Sequence, residues 1–294
     1  IYTTSGGIIK EGNFIDNVLN GEGKITYPNG DELKGNFVDE KLDGIGEEIK
    51  DGNIYKGEFK EGIKEGKGEL ITSEKEKYEG IFKNNKLNGK GKYTNNNGET
   101  LEGEFIDNKL SGYGIKKWKD GTIFEGNFVD GLEEGKGTKK WTDGKIFEGE
   151  FKGGVKCGEG VFKFSDGQQF NGNFLEGKYS GKGTYIWEDG MKYEGEFKDN
   201  QIEGKGKWYW PNGNIYEGDF KEGKCEGFGI EKSHDGKTYE GQFKNDLYEG
   251  KGIKTYPDGQ KYEGEFHEGK FHGLGTWFYK DGSKIEVTWN NGKK

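Results

Sequence analysis

The sequence predicts an all-β protein, an elongated single-layer antiparallel meander of about twelve 23-residue β-hairpin repeats forming an open, twisted, grooved rod. Three observations predict it: a glycine-centred phrase recurs with a fixed period, two turn signals divide each period, and glycine and aromatic residues alternate with charge between the turns. The composition agrees, with 57 Gly, 7 Trp, 16 Tyr and 20 Phe among 294 residues and 34% charged residues. Aliphatic side chains are too scarce for a thick core, so one thin repetitive layer is expected across residues 1–294, with partial repeats at 1–9 and 283–294.

The recurring phrase is aromatic-Glu-Gly-x-Phe, as in Tyr193-Glu194-Gly195-Glu196-Phe197 and Tyr216-Glu217-Gly218-Asp219-Phe220. Its central glycine, called the ruler glycine below, stands at Gly12, Gly35, Gly57, Gly80, Gly103, Gly126, Gly149, Gly172, Gly195, Gly218, Gly241 and Gly264. Val287 takes the thirteenth place. Adjacent rulers lie 23 residues apart, except for the shorter step from Gly35 to Gly57. Nine residues after each ruler glycine comes Gly-x-Gly, as at Gly181 and Gly183 or Gly273 and Gly275.

The first turn of each repeat holds pairs such as Asp107-Asn108, Asp130-Gly131, Asp199-Asn200 and Glu222-Gly223. These residue types tolerate the positive φ of a two-residue type I′ hairpin loop. One-to-one pairing from the Asp199-Asn200 turn sets Phe197 against Ile202, Gly195 against Gly204 and Tyr193 against Gly206. A ring opposite a residue without a side chain has room to lie flat.

The second turn reads Trp118-Lys119-Asp120-Gly121 or Trp187-Glu188-Asp189-Gly190, and Pro28, Pro211 and Pro257 all occupy its second position. Proline presets φ for a type I turn, and the following glycine takes the left-handed conformation. Such a three-residue loop keeps the same face inward from repeat to repeat. In the shorter interval Asp51-Gly52 closes as a two-residue loop, placing Gly46 opposite Gly57 as Gly23 lies opposite Gly35.

Alternation then separates two faces. One carries the leading aromatic, the ruler glycine, its Phe, the Gly-x-Gly pair and the ring before the second turn. The other carries Glu194, Glu196, Lys198, Lys205 and Lys207 and their equivalents, as one wet face of an antiparallel sheet requires. At roughly 4.8 Å per strand the meander would extend on the order of 115 Å.

Tyr-x-Gly-x-Phe followed by Gly-x-Gly and Asp-Gly on this period resembles the MORN (membrane occupation and recognition nexus) repeat. The resemblance covers almost the whole chain and implies β-hairpins stacked into an extended grooved sheet. Lys10, Leu33 and Leu101 depart from it in the leading aromatic slot, Lys75 replaces a turn glycine, and Val287 breaks the ruler. Both ends fall inside a repeat, so further sequence is expected beyond them. MORN arrays accompany phosphatidylinositol phosphate kinases, junctophilins, radial spoke head proteins and protein methyltransferases, and none of those catalytic parts is seen in these residues.

Charge and composition remove several function classes. Lys+Arg of 45 against Asp+Glu of 54 gives net charge −9, and every cation is Lys, so neither nucleic acid nor bidentate phosphate recognition is favoured. No apolar run exceeds three residues, so neither a membrane span nor a signal peptide is expected here. Cys157 and Cys225 fit a reducing compartment, with cytoplasm the expected location, at a cytoskeletal, ciliary or membrane-adjacent assembly. Gly177-Lys178-Tyr179-Ser180-Gly181-Lys182-Gly183 lacks the spacing and the terminal Ser or Thr of a phosphate loop. His234, His267 and His272 have no metal-ligand spacing, and the carboxylates repeat along a wet face rather than in two unlike environments. No catalytic residue, cofactor or metal is therefore expected.

The candidate site is the ring row before the second turn: Trp118, Trp141, Phe164, Trp187, Trp210, Tyr256 and Tyr279. A single-layer sheet leaves such rings packed on one another and on glycine, or covered by a partner. The function expected is a non-enzymatic scaffold whose aromatic groove receives a helix or extended segment of another protein, with end strands available for self-association. The alternatives are a phospholipid-binding tether and a regulatory repeat region of a larger enzyme such as a phosphatidylinositol phosphate kinase.

Overall fold

The computed structural model describes all residues from Ile1 to Lys294 and contains 26 β-strands and no helix. The chain divides into two compact units, Ile1–Thr142 with Phe151–Gly154, and Asp143–Glu150 with Val155–Lys294. Within each unit, strands adjacent in sequence pair antiparallel, so each is a hairpin meander. In the first unit the pairing runs in order from Ile9–Ile15 to Leu132–Lys140, and in the second from Val155–Lys163 to Lys284–Trp289.

Both turns form as their residues dictate. Asp199 and Asn200 have φ of 51° and 71°, the type I′ geometry, and Asp107-Asn108 and Glu222-Gly223 match them. At the second turn the Gly121 amide donates to the Trp118 carbonyl at 3.0 Å and the Trp118 amide to the Thr122 carbonyl at 2.9 Å. Gly121 sits at φ 91°, the left-handed residue that ends such a three-residue loop. The shorter interval closes as expected: Asp51 and Gly52 form the loop, and Gly46 pairs with Gly57.

The register corrects one expectation. Phe197 does face Ile202, but Gly195 faces Gly206 rather than Gly204, and Tyr193 faces Trp208 rather than Gly206. Between those pairs Glu203, Gly204 and Lys205 stand against Glu196 alone, a bulge that one-to-one counting omits. Gly204 makes it, at φ 75°. The two extra residues preserve the alternation of faces, so the division into apolar and charged faces survives the shift.

The core lies on the apolar face and consists of side chains laid over glycine. Tyr193 is fully buried, and a Cβ on Gly206 would collide with its ring, so the tyrosine occupies the space two bare glycines leave. Its hydroxyl donates to the Glu196 carbonyl at 3.2 Å. Phe197 and Phe220 pack edge-on against that ring with centroids at 5.2 and 5.0 Å. Such edge-to-face pairs add about 0.5–1.5 kcal/mol beyond burial. Four repeats are built otherwise: Leu19, Leu42, Leu87 and Leu110, from the second strand, cover the glycine pair in place of the leading residue.

Candidate functional surfaces

On the apolar face, the ring before the second turn ends a strand whose previous same-face residue lies two positions earlier. Both therefore rise on one side of the sheet, at the margin of the buried layer. Trp187 stacks on Trp208 at 5.4 Å with planes 9° apart, and Trp208 on Trp210 at 5.9 Å and 13°. Tyr185 extends the stack to Trp187 at 4.5 Å, and Phe164 reaches Tyr185 at 6.1 Å. Phe164, Trp187 and Trp210 thus belong to one continuous ladder, and each is half-buried.

The other four ring positions are placed differently. Trp118 is half-buried beneath two ammonium groups, Lys116 at 4.5 Å and Lys139 at 4.1 Å from its centroid, and Lys139 also reaches Trp141 at 6.0 Å. Glu133, only 5% exposed, sits 3.5 Å from Lys116 and 3.8 Å from Lys139. Burial pushes the Lys139 ammonium below its ordinary pKa, with Glu133 opposing that shift. Tyr256 packs on Trp277 at 5.5 Å, whereas Tyr279 is 40% exposed. Ser233 occupies the equivalent slot between Trp210 and Tyr256, so the ladder stops there.

Sequence reading missed the inner rungs, Tyr185, Trp208 and Trp277. The signal was available: each stands two residues before a named ring and so shares its face. Their polar atoms follow a rule of their own. Tyr93, Tyr185 and Trp277 donate to Glu76, Gln168 and Gln260, each acceptor seventeen residues earlier, at 2.5, 2.8 and 3.0 Å. For Trp208 that acceptor slot holds Met191, and the buried indole N–H has no partner.

The charged face carries the clefts. In the second unit an open cleft of about 1030 Å³ is floored by glycines including Gly195 and Gly206, with walls of Glu194, Glu196, Lys205 and Lys207. In the first unit a cleft of about 580 Å³ is floored by Gly80, Gly91 and Gly103 and bordered by Tyr113. The seven rings do not line either cleft. Lys205 pairs with Asp219 at 2.8 Å and Lys207 with Glu217 at 3.3 Å, both exposed ion pairs that solvent screens.

The histidines and Cys225 do not converge on one site. The His267 and His272 rings lie 5.5 Å apart, but they contact Glu249 and Asn291 separately, and no three His, Cys, Asp or Glu groups gather as a metal site. Cys225 is buried, and burial pushes its thiol far above the range of a reactive thiolate.

The MORN repeat family model matches residues 11–32, 55–73, 78–100 and 102–123, and then consecutive blocks from 124–146 to 262–284. The chain belongs to the MORN repeat family, and as such is a repeat protein for protein or membrane interaction. Residues 33–54, which that model passes over, nevertheless fold as a hairpin of Glu32–Val38 and Lys41–Lys50.

Among solved structures, the TCP domain of Drosophila melanogaster SAS-4, in complex with a proline-rich motif of Ana2, shows 12% identity. The match covers 53% of this chain and 85% of that one at a TM-score of 0.36. The TCP10 domain of Danio rerio CPAP shows 9% identity, covering 90% and 99% of the two chains at a TM-score of 0.21. Scores this low carry no argument about function. No curated protein matches the chain.

Proposed function

We propose that this chain is a non-enzymatic scaffold that binds other proteins within a cytoplasmic assembly, in a cytoskeletal, ciliary or membrane-adjacent setting. The observation that carries the reading is the half-exposed ladder of Phe164, Tyr185, Trp187, Trp208 and Trp210, contiguous rings at one margin of the sheet, stacked at the three tryptophans, with no helix or second sheet laid over them. Rigid aromatics of this kind supply large contact area at low entropic cost and dominate interfaces. A helix or an extended segment laid across the ladder would cover the rings.

Trp187→Glu combined with Trp210→Glu is expected to abolish capture of the partner while the far-UV signal of the sheet persists. Unchanged capture would reject the ladder as the site. Sedimentation with anionic vesicles separates the phospholipid alternative, which requires strong binding at low salt. Net charge −9 and the absence of Arg weigh against it, since each basic residue near an anionic leaflet contributes only about 1 kcal/mol.

A further inference from the structure

Building on the reading of the chain as a protein-interaction module, we propose that the charged face of the second unit holds a second docking site, for a basic amphipathic peptide segment. Its centre is Phe228, Ile230, Ile253 and Leu274.

In the repeat that carries Lys205 and Lys207, charges neutralise one another across strands. Lys205 stands opposite Asp219 and Lys207 opposite Glu217, and both pairs form. One repeat later, the slots of Lys205 and Lys207 hold Phe228 and Ile230; in the next they hold Lys251 and Ile253, and in the last Leu274 and Thr276. The paired lysines of that repeat therefore give way to an apolar strip. Phe228 is 48% exposed and Leu274 61%, and with Ile253 they border a cleft of about 640 Å³ floored by Gly241, Gly252 and Gly264.

Two carboxylates along this strip are also unpaired. Ile230 stands opposite Glu240, which has no cation within 4 Å, and Glu265, opposite Lys251, has none either. Glu263 is paired with Lys261, but Glu240 and Glu265 against Lys251 leave the cleft walls negative by one charge. An apolar strip between unpaired carboxylates complements a segment that presents apolar residues flanked by Lys or Arg, and it repels an anionic membrane. This surface lies on the opposite face from the ring ladder, so the two readings fail independently.

The test is fluorescence anisotropy of the full chain with a labelled Leu/Lys amphipathic peptide and a Leu/Glu peptide of the same length. The Leu/Lys peptide is expected to bind, and the Leu/Glu peptide is not. Phe228→Lys with Ile230→Lys, which restores the pattern of Lys205 and Lys207, should weaken binding by roughly tenfold or more. If that variant loses its far-UV signal, Ile253→Thr with Leu274→Lys carries the same test, since each borrows the residue of a neighbouring repeat. Trp187→Glu with Trp210→Glu should leave peptide binding unchanged. Equal binding of the two peptides, no binding of either, or affinity that follows the ladder variant would overturn the proposal. So would capture by phosphatidylserine vesicles that is lost in the Phe228 and Ile230 variant.

Discussion

The repeats on Gly12, Gly35, Gly80 and Gly103 close the bare glycine pair with a leucine from the second strand, whereas those on Gly126, Gly172, Gly195 and Gly218 close it with the leading ring. The backbone records the difference. In the leucine repeats the ruler glycine has positive φ, from 137° to 153°, and in these ring repeats it does not. The leading residue alone does not decide the outcome, because Tyr78 occupies that slot in the Gly80 repeat and is still displaced by Leu87. Tyr78 instead packs on Tyr93 at 4.8 Å, and both hydroxyls turn to Glu76. The residue seven places after the ruler glycine thus selects which strand fills the hole. Where that slot holds Lys64, Glu133 or Cys225, the ring goes in.

The largest expected effect breaks both kinds of repeat. Gly206→Val would drive a side chain into the Tyr193 ring, and Gly91→Val would do the same to Leu87. Each should cost more than about 3 kcal/mol, read as a fall in melting temperature, because neither ring nor leucine has anywhere to retreat. A smaller effect separates the two kinds. Leu110→Ala leaves a hole over Gly103 and Gly114 and should cost about 2–5 kcal/mol. Adding Leu101→Tyr to that variant should recover a measurable part of the loss in urea unfolding by converting the repeat to the ring type.

Smaller still is a gain. Met191→Gln supplies the acceptor that Trp208 lacks and that Gln260 provides to Trp277, and should stabilise by about 1 kcal/mol in urea unfolding. Tyr193→Phe removes the hydrogen bond to the Glu196 carbonyl and should cost about 0.5–1.5 kcal/mol, bringing that repeat to the state in which Phe170 already stands.

The smallest effect is on pH. Glu249 is held below its usual range by the Glu268 amide and by His267, so its contribution is present above the ordinary carboxylate pKa and is lost as pH falls through the lowered one. Glu249→Gln should therefore lower the neutral plateau of the melting-temperature profile slightly and flatten its acid limb.

Period, hairpins, turn types, face assignment and the aromatic–glycine partnership were all legible in the sequence, since each depends on local residue chemistry repeated twelve times over. The bulge at Gly204 was not, because Gly-x-Gly reads equally well as flat strand until the pairing on both sides is known. The leucine plugs were hidden for a related reason. Leu87 and Tyr78 are each suited to the buried face, and only their competition for one space decides between them. At the candidate site, the outer rings Trp187 and Trp210 stood out by position, but the continuity of the ladder depends on Tyr185 and Trp208. The apolar break at Phe228 and Ile230 becomes visible only once Lys205 and Lys207 are seen paired across the strands.

Hydrogen-exchange protection of the strand amides around Leu87→Ala and Leu110→Ala tests most directly whether one side chain per repeat must fill the glycine pair. Protection should fall far less in the Leu87 variant, where Tyr78 is at hand to take the space over Gly80 and Gly91, than in the Leu110 variant, where the leading slot holds Leu101. Equal loss in the two hairpins would contradict the account.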